Sequence, residues 1–231
     1  MARRPRNLIL AGGVFHPPEE SGPPLASLLE EIGWDSDVIA DVEAGLKQLA
    51  AGAFDRLTMA CLRFTMTQNE KYAPFRAEWA LSLSSEGRAA LEGWAAAGNG
   101  ILGIHTAPIC FDDWPRWGEI LGVSWRWGVS HHPPLGPVSV RIGAAHPVTR
   151  GMEDFATEDE VYTALEVQPW MQPLYEARAE PDGEWQPAAF AGEHGGARRA
   201  WCGIGHNAVS LNNPVNRRII QNAARWAARD L

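Results

Sequence analysis

The chain has 231 residues, of which 45% are hydrophobic and 21% charged, a composition typical of a globular protein with a sizeable core. Its formal charge of −8 at pH 7 argues against nucleic acid or an anionic membrane as a partner. The three cysteines, Cys61, Cys110 and Cys202, are odd in number and widely spaced. We therefore expect buried free thiols and exclude a disulfide framework or a CxxC zinc site.

Hydropathy predicts a cytoplasmic protein. No apolar run approaches the roughly 18 residues that a membrane span requires. The apolar run over 8–11 follows a basic start but ends at Gly12 and Gly13, so it is too short for a signal peptide.

The first half of the chain alternates strand and helix signals. Short apolar runs predict strands, and apolar residues at helical spacing between proline or serine starts and glycine ends predict helices. The predicted elements are strand 7–11, helix 25–32, strand 36–40, helix 43–51, strand 57–62, a loop with at most a single helical turn over 65–83, a helix capped by Ser84 or Ser85 and running to 97, and strand 101–105. This alternation predicts a parallel sheet with right-handed crossovers.

The second half has a different pattern, in which strands are separated by turns rich in proline and glycine. Strands are predicted over 138–142, 174–177, 188–191 and 199–204, either as an antiparallel extension or as later strands of the same sheet. A closing helix begins at Asn213-Pro214, with Val215, Ile219, Ala223 and Trp226 on its apolar face. Without an internal repeat or linker, residues 1–231 are expected to form a single domain.

Two histidines follow predicted strands. Open α/β sheets bind ligands beyond the carboxyl ends of their strands, so the loops after residues 11, 62 and 104 are the places to search. His105 lies in Gly-Ile-His-Thr-Ala, the pattern of a sharp strand-to-helix turn, and His206 lies in Gly-Ile-Gly-His-Asn, where glycines allow close approach to a ligand. Each histidine could instead be satisfied by backbone hydrogen bonds, but we expect both at a functional site.

Carboxylates supply further candidates. Asp113 precedes Trp114-Pro115 and is well placed to cap a helix, which leaves Asp112 as the freer of the two. On an extended segment Glu158, Glu160 and Tyr162 would share one face and could pair a carboxylate with a phenol for acid–base chemistry, although most acidic runs are solvated.

Three further histidines are less specific. His131 and His132 are adjacent, and on an extended segment only one of them can face a given site. His146 lies in a turn, where a local hydrogen bond explains it as well as function does.

In order and spacing these motifs resemble the ThuA-like family, named for trehalose utilisation. The residues concerned are Gly103-Ile104-His105-Thr106-Ala107, Asp113-Trp114, His132-Pro133, His146-Pro147-Val148-Thr149-Arg150-Gly151, Asp159-Glu160-Val161-Tyr162, Gly205-His206, Asn213-Pro214 and Arg225-Trp226-Ala227. The resemblance implies a class I glutamine amidotransferase-like fold, a flavodoxin-like three-layer α/β/α sandwich with a mostly parallel central sheet and additional antiparallel strands. Where amidotransferases carry a nucleophilic cysteine, this chain has His105. Cys110 lies five residues later, so amide hydrolysis is not supported.

The resemblance also implies a hydrolase that acts on a sugar or keto-sugar derivative, with a keto-glycoside as one candidate. His105, His206 and Glu160 are the predicted catalytic residues, and the predicted substrate-binding residues are Asp112, Trp114, Trp127, His132, Tyr162 and Asn207. A second form of this hypothesis adds a divalent metal such as zinc, which His105, His132, His206 and Glu160 would bind.

The alternative is a non-catalytic sugar-binding module on an amidotransferase-like scaffold. In either case the expected partner is a small sugar derivative, not a nucleic acid or a membrane, and assembly into a homo-oligomer is left open.

Overall fold

Nine strands form one sheet in the computed structural model, which describes residues 3–143 and 145–231. The strands are β1 Arg6–Gly13, β2 Asp35–Ile39, β3 Arg56–Leu62, β4 Ile101–Ile104, β5 Val123–Ser124, β6 Gly136–Ile142, β7 Phe155–Asp159, β8 Glu166–Val167, β9 Met171–Ala179, β10 Gln186–His194 and β11 Ala197–Cys202. The α-helices are α1 Pro18–Glu30, α2 Val42–Ala50, α3 Arg76–Trp79, α4 Ser85–Ala96, α5 Arg116–Leu121, α6 Ala208–Leu211 and α7 Pro214–Ala227, and short 3-10 helices cover Glu70–Phe75 and Ala107–Ile109.

The strand order of the sheet is β2-β1-β3-β4-β11-β10-β9-β6-β7, while β5 and β8 pair separately. The first five strands run parallel, and β10, β9, β6 and β7 each run antiparallel to their neighbours. The antiparallel strands are therefore a continuation of the parallel sheet, joined to it through β11.

Alternation along the strands divides the core into two layers. Leu8 and Leu10 of β1 face the core beneath α2 and α4, whereas Ile9 and Ala11 face the core beneath α1 and α7. Helices thus cover both faces of the sheet, which confirms the predicted flavodoxin-like three-layer α/β/α sandwich. Within the described residues, no helix combines the length and apolarity needed to cross a bilayer.

Two segments differ from the predicted boundaries. Helix α1 begins at Pro18 instead of residue 25, and Pro23 and Pro24 lie inside it. Pro23 and Pro24 have no N–H to donate to the backbone carbonyls of Glu19 and Glu20, one turn earlier. Both glutamates are exposed, so water can donate to these carbonyls instead. The predicted loop over 65–83 contains both the Glu70–Phe75 turn and α3.

Candidate functional site

His105 occupies the sharp turn that the sequence predicts at the end of β4. Its φ of +45° is in the left-handed region, which non-glycine residues rarely adopt. The His105 N–H donates to the Cys202 carbonyl at 2.8 Å, and its carbonyl accepts from Trp201 Nε1 at 3.1 Å. Neighbouring β11 therefore holds this conformation at the carboxyl end of the central strands.

The His105 ring is the point where three segments meet. Its Nδ1 lies 2.7 Å from the Gly203 carbonyl, which can only accept, so Nδ1 carries a proton. Its Nε2 lies 3.0 Å from the Tyr162 hydroxyl, 3.1 Å from His206 Nδ1 and 3.4 Å from Glu160 Oε2. The structure thus brings together the three residues expected to be catalytic.

Gly205 allows the loop after β11 to approach β4 closely. A Cβ at this position would lie 2.7 Å from Ile104 Cγ2, closer than non-bonded carbon atoms pack. A larger residue would move His206 away from His105.

A buried carboxylate, Asp159, holds the same loop. Its Oδ2 accepts from the N–H groups of Gly205 at 2.8 Å and His206 at 3.1 Å, and its Oδ1 accepts from the Glu160 N–H at 2.8 Å. The expectation that Glu158 would share a face with Glu160 and Tyr162 is wrong. Strand β7 ends at Asp159, so the alternation stops there, and Glu158 is exposed while Asp159 is buried.

The charges of the site reinforce one another. Burial disfavours a charged His105, but its hydrogen bond with Glu160 and the charges of Asp159 and Glu160 outweigh burial and raise its pKa. Burial also opposes ionisation of Glu160, but hydrogen bonds with His105 and His206 bring the pKa of its carboxyl well below the usual value. Burial and the two carboxylates raise the pKa of Tyr162, so its phenol stays protonated.

His16 also belongs to this cluster, although the sequence analysis did not select it. It lies after β1, in one of the three loops expected to border a ligand site, and its ring centroid is 5.3 Å from that of His105 and 4.5 Å from that of His206. Burial, with the neighbouring histidines, lowers the pKa of His16 to about 2, so its ring is neutral. One ligand atom from each of His16, His105, Glu160 and His206 lies within 4.8 Å of the others, a set that could hold a metal ion.

Aromatic residues border the cluster on its solvent side. His132 Nδ1 lies 3.5 Å from Glu160 Oε1, and the Trp125 ring is 5.3 Å from that of Tyr162. Trp127 lies one ring further out, 6.3 Å from Trp125. Both tryptophans line an open groove of about 630 Å³ that reaches His132. Trp125, within the same tryptophan-rich stretch as Trp127, is therefore the tryptophan nearer to the cluster, and the sequence analysis did not select it.

Two neighbouring carboxylates have roles other than those expected. Asp112 is not free, because it accepts from the N–H of Thr65 at 2.6 Å and from the Thr65 hydroxyl at 2.7 Å, and also from Gln68. Asp113 pairs with Arg88 at 2.8 Å and does not cap α5, whose N-cap is Pro115. Asp112 therefore holds the segment of Thr65 and Gln68, whereas Asp113 ties its own segment to α4.

Two further substrate-binding candidates have structural contacts. Trp114 is buried in the core beneath the Arg88 guanidinium, which lies 5.9 Å from its ring. Asn207 is the N-cap of α6, where its side-chain oxygen accepts from the Val209 N–H at 2.8 Å.

The sequence profile of the ThuA family, described as trehalose utilisation, matches residues 16–227. The chain belongs to the ThuA family. The matched region begins at His16 and includes all four clustered residues, and the family's description ties the chain to carbohydrate use. A search of curated proteins found no match.

Solved structures share the fold of this ThuA family chain. A ThuA-like protein from Parabacteroides merdae has a TM-score of 0.76 at 16% identity, covering 99% of this chain and 91% of that one. A ThuA-like protein from Bacteroides uniformis has a TM-score of 0.70 at 17% identity, covering 98% and 92%. A glutamine amidotransferase from Thermotoga maritima has a TM-score of 0.50 at 12% identity, covering 87% and 76%, consistent with the amidotransferase-like architecture.

Proposed function

We propose that the protein is an enzyme that hydrolyses a keto-glycoside or a related oxidised sugar. The observation that carries the proposal is the approach of His206 Nδ1 and Glu160 Oε2 to His105 Nε2, at 3.1 and 3.4 Å. Two imidazoles and a carboxylate at hydrogen-bonding range suit paired proton transfers. The family's link to carbohydrate use supports a sugar as the substrate.

The proposed chemistry uses the acidity of a C–H bond beside the keto group. Glu160, which is ionised, accepts that proton, while His206 donates a proton to the glycosidic oxygen as its C–O bond breaks. A C=C bond forms in the sugar, and addition of water across it completes the hydrolysis. The side chains of Glu160 and His206 are 12% and 14% exposed, so substrate can reach both, whereas His105 beneath them is 3% exposed.

Sugar rings would occupy the groove beside the cluster. Indole faces stack on the C–H faces of sugars, and Trp125 and Trp127 both line this groove. His132 is one of the polar residues that line the groove, and its Nδ1 lies 3.5 Å from Glu160 Oε1.

A substrate screen tests the proposal. Oxidised and unoxidised disaccharides are incubated with the protein, and products are followed by mass spectrometry. We expect cleavage of at least one keto-disaccharide, with the unoxidised parent unchanged, because only the keto group acidifies the C–H bond. Binding of these sugars without turnover of any would contradict the proposal and favour the sugar-binding module.

The Cys110→Ser variant is expected to retain activity within about twofold of the wild type. All three cysteines are buried and free, and Cys110 Sγ lies 2.9 Å from the Cys61 carbonyl and 3.7 Å from Cys61 Sγ. Burial raises the pKa of the Cys110 thiol well above its usual value, so the thiolate needed for amidase chemistry is suppressed. Steady-state kinetics measure the effect, and loss of activity in the serine variant would revive the amidase hypothesis.

The His132→Gln variant is expected to raise KM about three- to tenfold with a smaller change in kcat, since His132 borders the groove and touches Glu160 only at its outer oxygen. His194→Gln is the matched comparison. His194 is exposed at the end of β10, outside the groove, and its ring stacks on that of Trp170. Equal effects of the two substitutions on KM would contradict the assignment of His132 to the groove.

A further inference from the structure

The cluster has the size of a metal coordination sphere. The edges of the triangle formed by His105 Nε2, His206 Nδ1 and Glu160 Oε2 are 3.1, 3.4 and 3.6 Å. Ligand atoms about 2.0–2.1 Å from a tetrahedral zinc ion lie roughly 3.3–3.4 Å from one another. This triangle therefore matches one face of such a tetrahedron, and His16 is the fourth residue of the set.

His105 also has the protonation pattern of a histidine ligand. Its Nδ1–H donates to the Gly203 carbonyl, so in the neutral ring the lone pair lies on Nε2, which faces the cluster. A second hydrogen bond of this kind commonly orients metal-bound histidines.

His16 completes the set from the loop after β1. The residue is only 8% exposed. Its ring centroid lies 5.3 Å from that of His105 and 4.5 Å from that of His206, so the ring lies beside the triangle. Imidazole is a common metal ligand, and one ligand atom of His16 lies within 4.8 Å of those of the other three residues.

The charges of the site favour a divalent cation. In the described part of the chain, the ion pairs of Asp159 and Glu160 are all with histidines, not with lysine or arginine. Neutral histidines would leave two carboxylates uncompensated at low exposure, which is unfavourable. One divalent ion balances both charges while leaving the histidines neutral.

We propose that His16, His105, His206 and Glu160 bind one divalent transition-metal ion, of the class that includes zinc. Imidazole nitrogen with one carboxylate suits zinc, nickel or iron better than calcium or magnesium. His16 thus replaces His132 in the ligand set expected from sequence, because His132 reaches only the outer Glu160 oxygen and its Nδ1 lies 2.9 Å from the Pro133 carbonyl. The ion would occupy the atoms of Glu160 and His206 that the proposed proton transfers use, so its binding is tested apart from turnover.

Metal content and affinity test the proposal. Full-length protein purified without a histidine tag is stripped with a chelator, reloaded with zinc, and analysed by elemental mass spectrometry and zinc titration calorimetry. We expect close to one zinc ion per chain and a rise in Tm on loading, since the ion binds only the folded site. A content below about a tenth of an ion per chain, with no change in Tm, would overturn the proposal.

Matched variants identify the ligands. His16→Gln and Glu160→Gln are expected to weaken zinc binding at least tenfold, whereas His132→Gln and His146→Gln, which alter histidines outside the set, should bind like the wild type. Equal zinc affinity in His16→Gln and the wild type would overturn the assignment. If zinc binds but no keto-sugar is cleaved, the metal site stands and the proposed function fails. If stripped protein cleaves a keto-sugar and binds no zinc on reloading, the proposed function stands and the metal site fails.

Discussion

Replacing His105 with glutamine is expected to lower kcat/KM for a keto-glycoside by roughly 10²–10⁴, because the proton transfers assigned to Glu160 and His206 depend on their contacts with its Nε2. Glutamine can still offer an N–H toward the Gly203 carbonyl, but it lacks a titratable nitrogen at the position 3.1 Å from His206 and 3.4 Å from Glu160. The loss should fall mainly on kcat, because His105 lies beneath the residues that substrate reaches. Steady-state kinetics on purified variants measure the effect.

The control for this substitution is His194→Gln. His194 is exposed at the end of β10, where it stacks on Trp170 with ring centroids 5.3 Å apart, and it takes no part in the cluster. Its kinetics should match those of the wild type. Activity of His105→Gln within threefold of the wild type, with an unchanged Tm, would remove His105 from the mechanism.

The Asp159→Ala variant is expected to lower the free energy of unfolding by about 2–4 kcal/mol. The Asp159 carboxylate accepts from three N–H groups, those of Glu160, Gly205 and His206, and alanine leaves these donors without their acceptor. Since the same bonds position His206 and Glu160, activity should fall as well. Urea denaturation at neutral pH measures the change in stability.

Glu158→Ala provides a matched control on the same strand. Glu158 is exposed, so its removal should change the free energy of unfolding by no more than about 0.5 kcal/mol. Asp159→Asn keeps one acceptor oxygen and should have an intermediate effect. A loss below 1 kcal/mol for Asp159→Ala would show that the loop after β11 is held by other contacts.

Much of the fold could be predicted from local patterns. Alternating strands and helices in the first half predicted the parallel sheet, and the glycine-flanked histidines marked the ends of β4 and β11. Predicted helix boundaries were less accurate where proline was involved. The pair Pro23-Pro24 was expected in the first turn of a helix, but α1 starts at Pro18. The helix tolerates the missing N–H groups of the two prolines because the carbonyls one turn earlier are exposed to water.

Predictions failed where a residue's role depends on a distant partner. Asp112 had no visible partner in the sequence, because Thr65 and Gln68 are more than forty positions away. Period-two alternation placed Glu158 inside, but β7 ends one residue later, and the buried acceptor is Asp159. His16 was overlooked, although the rule for strand ends already indicated its loop.

The sequence by itself determined the layered α/β architecture and the strand ends at which His105 and His206 lie, because hydrophobic periodicity and glycine-bounded strand ends are local properties of the chain. Only the tertiary structure decided which side chains share that location. Parallel strands far apart in sequence become neighbours, so β1, β4 and β11 bring His16, His105 and His206 to one edge of the sheet, and the antiparallel extension adds Asp159 and Glu160 through β7. That convergence depends on strand order, which no local pattern encodes.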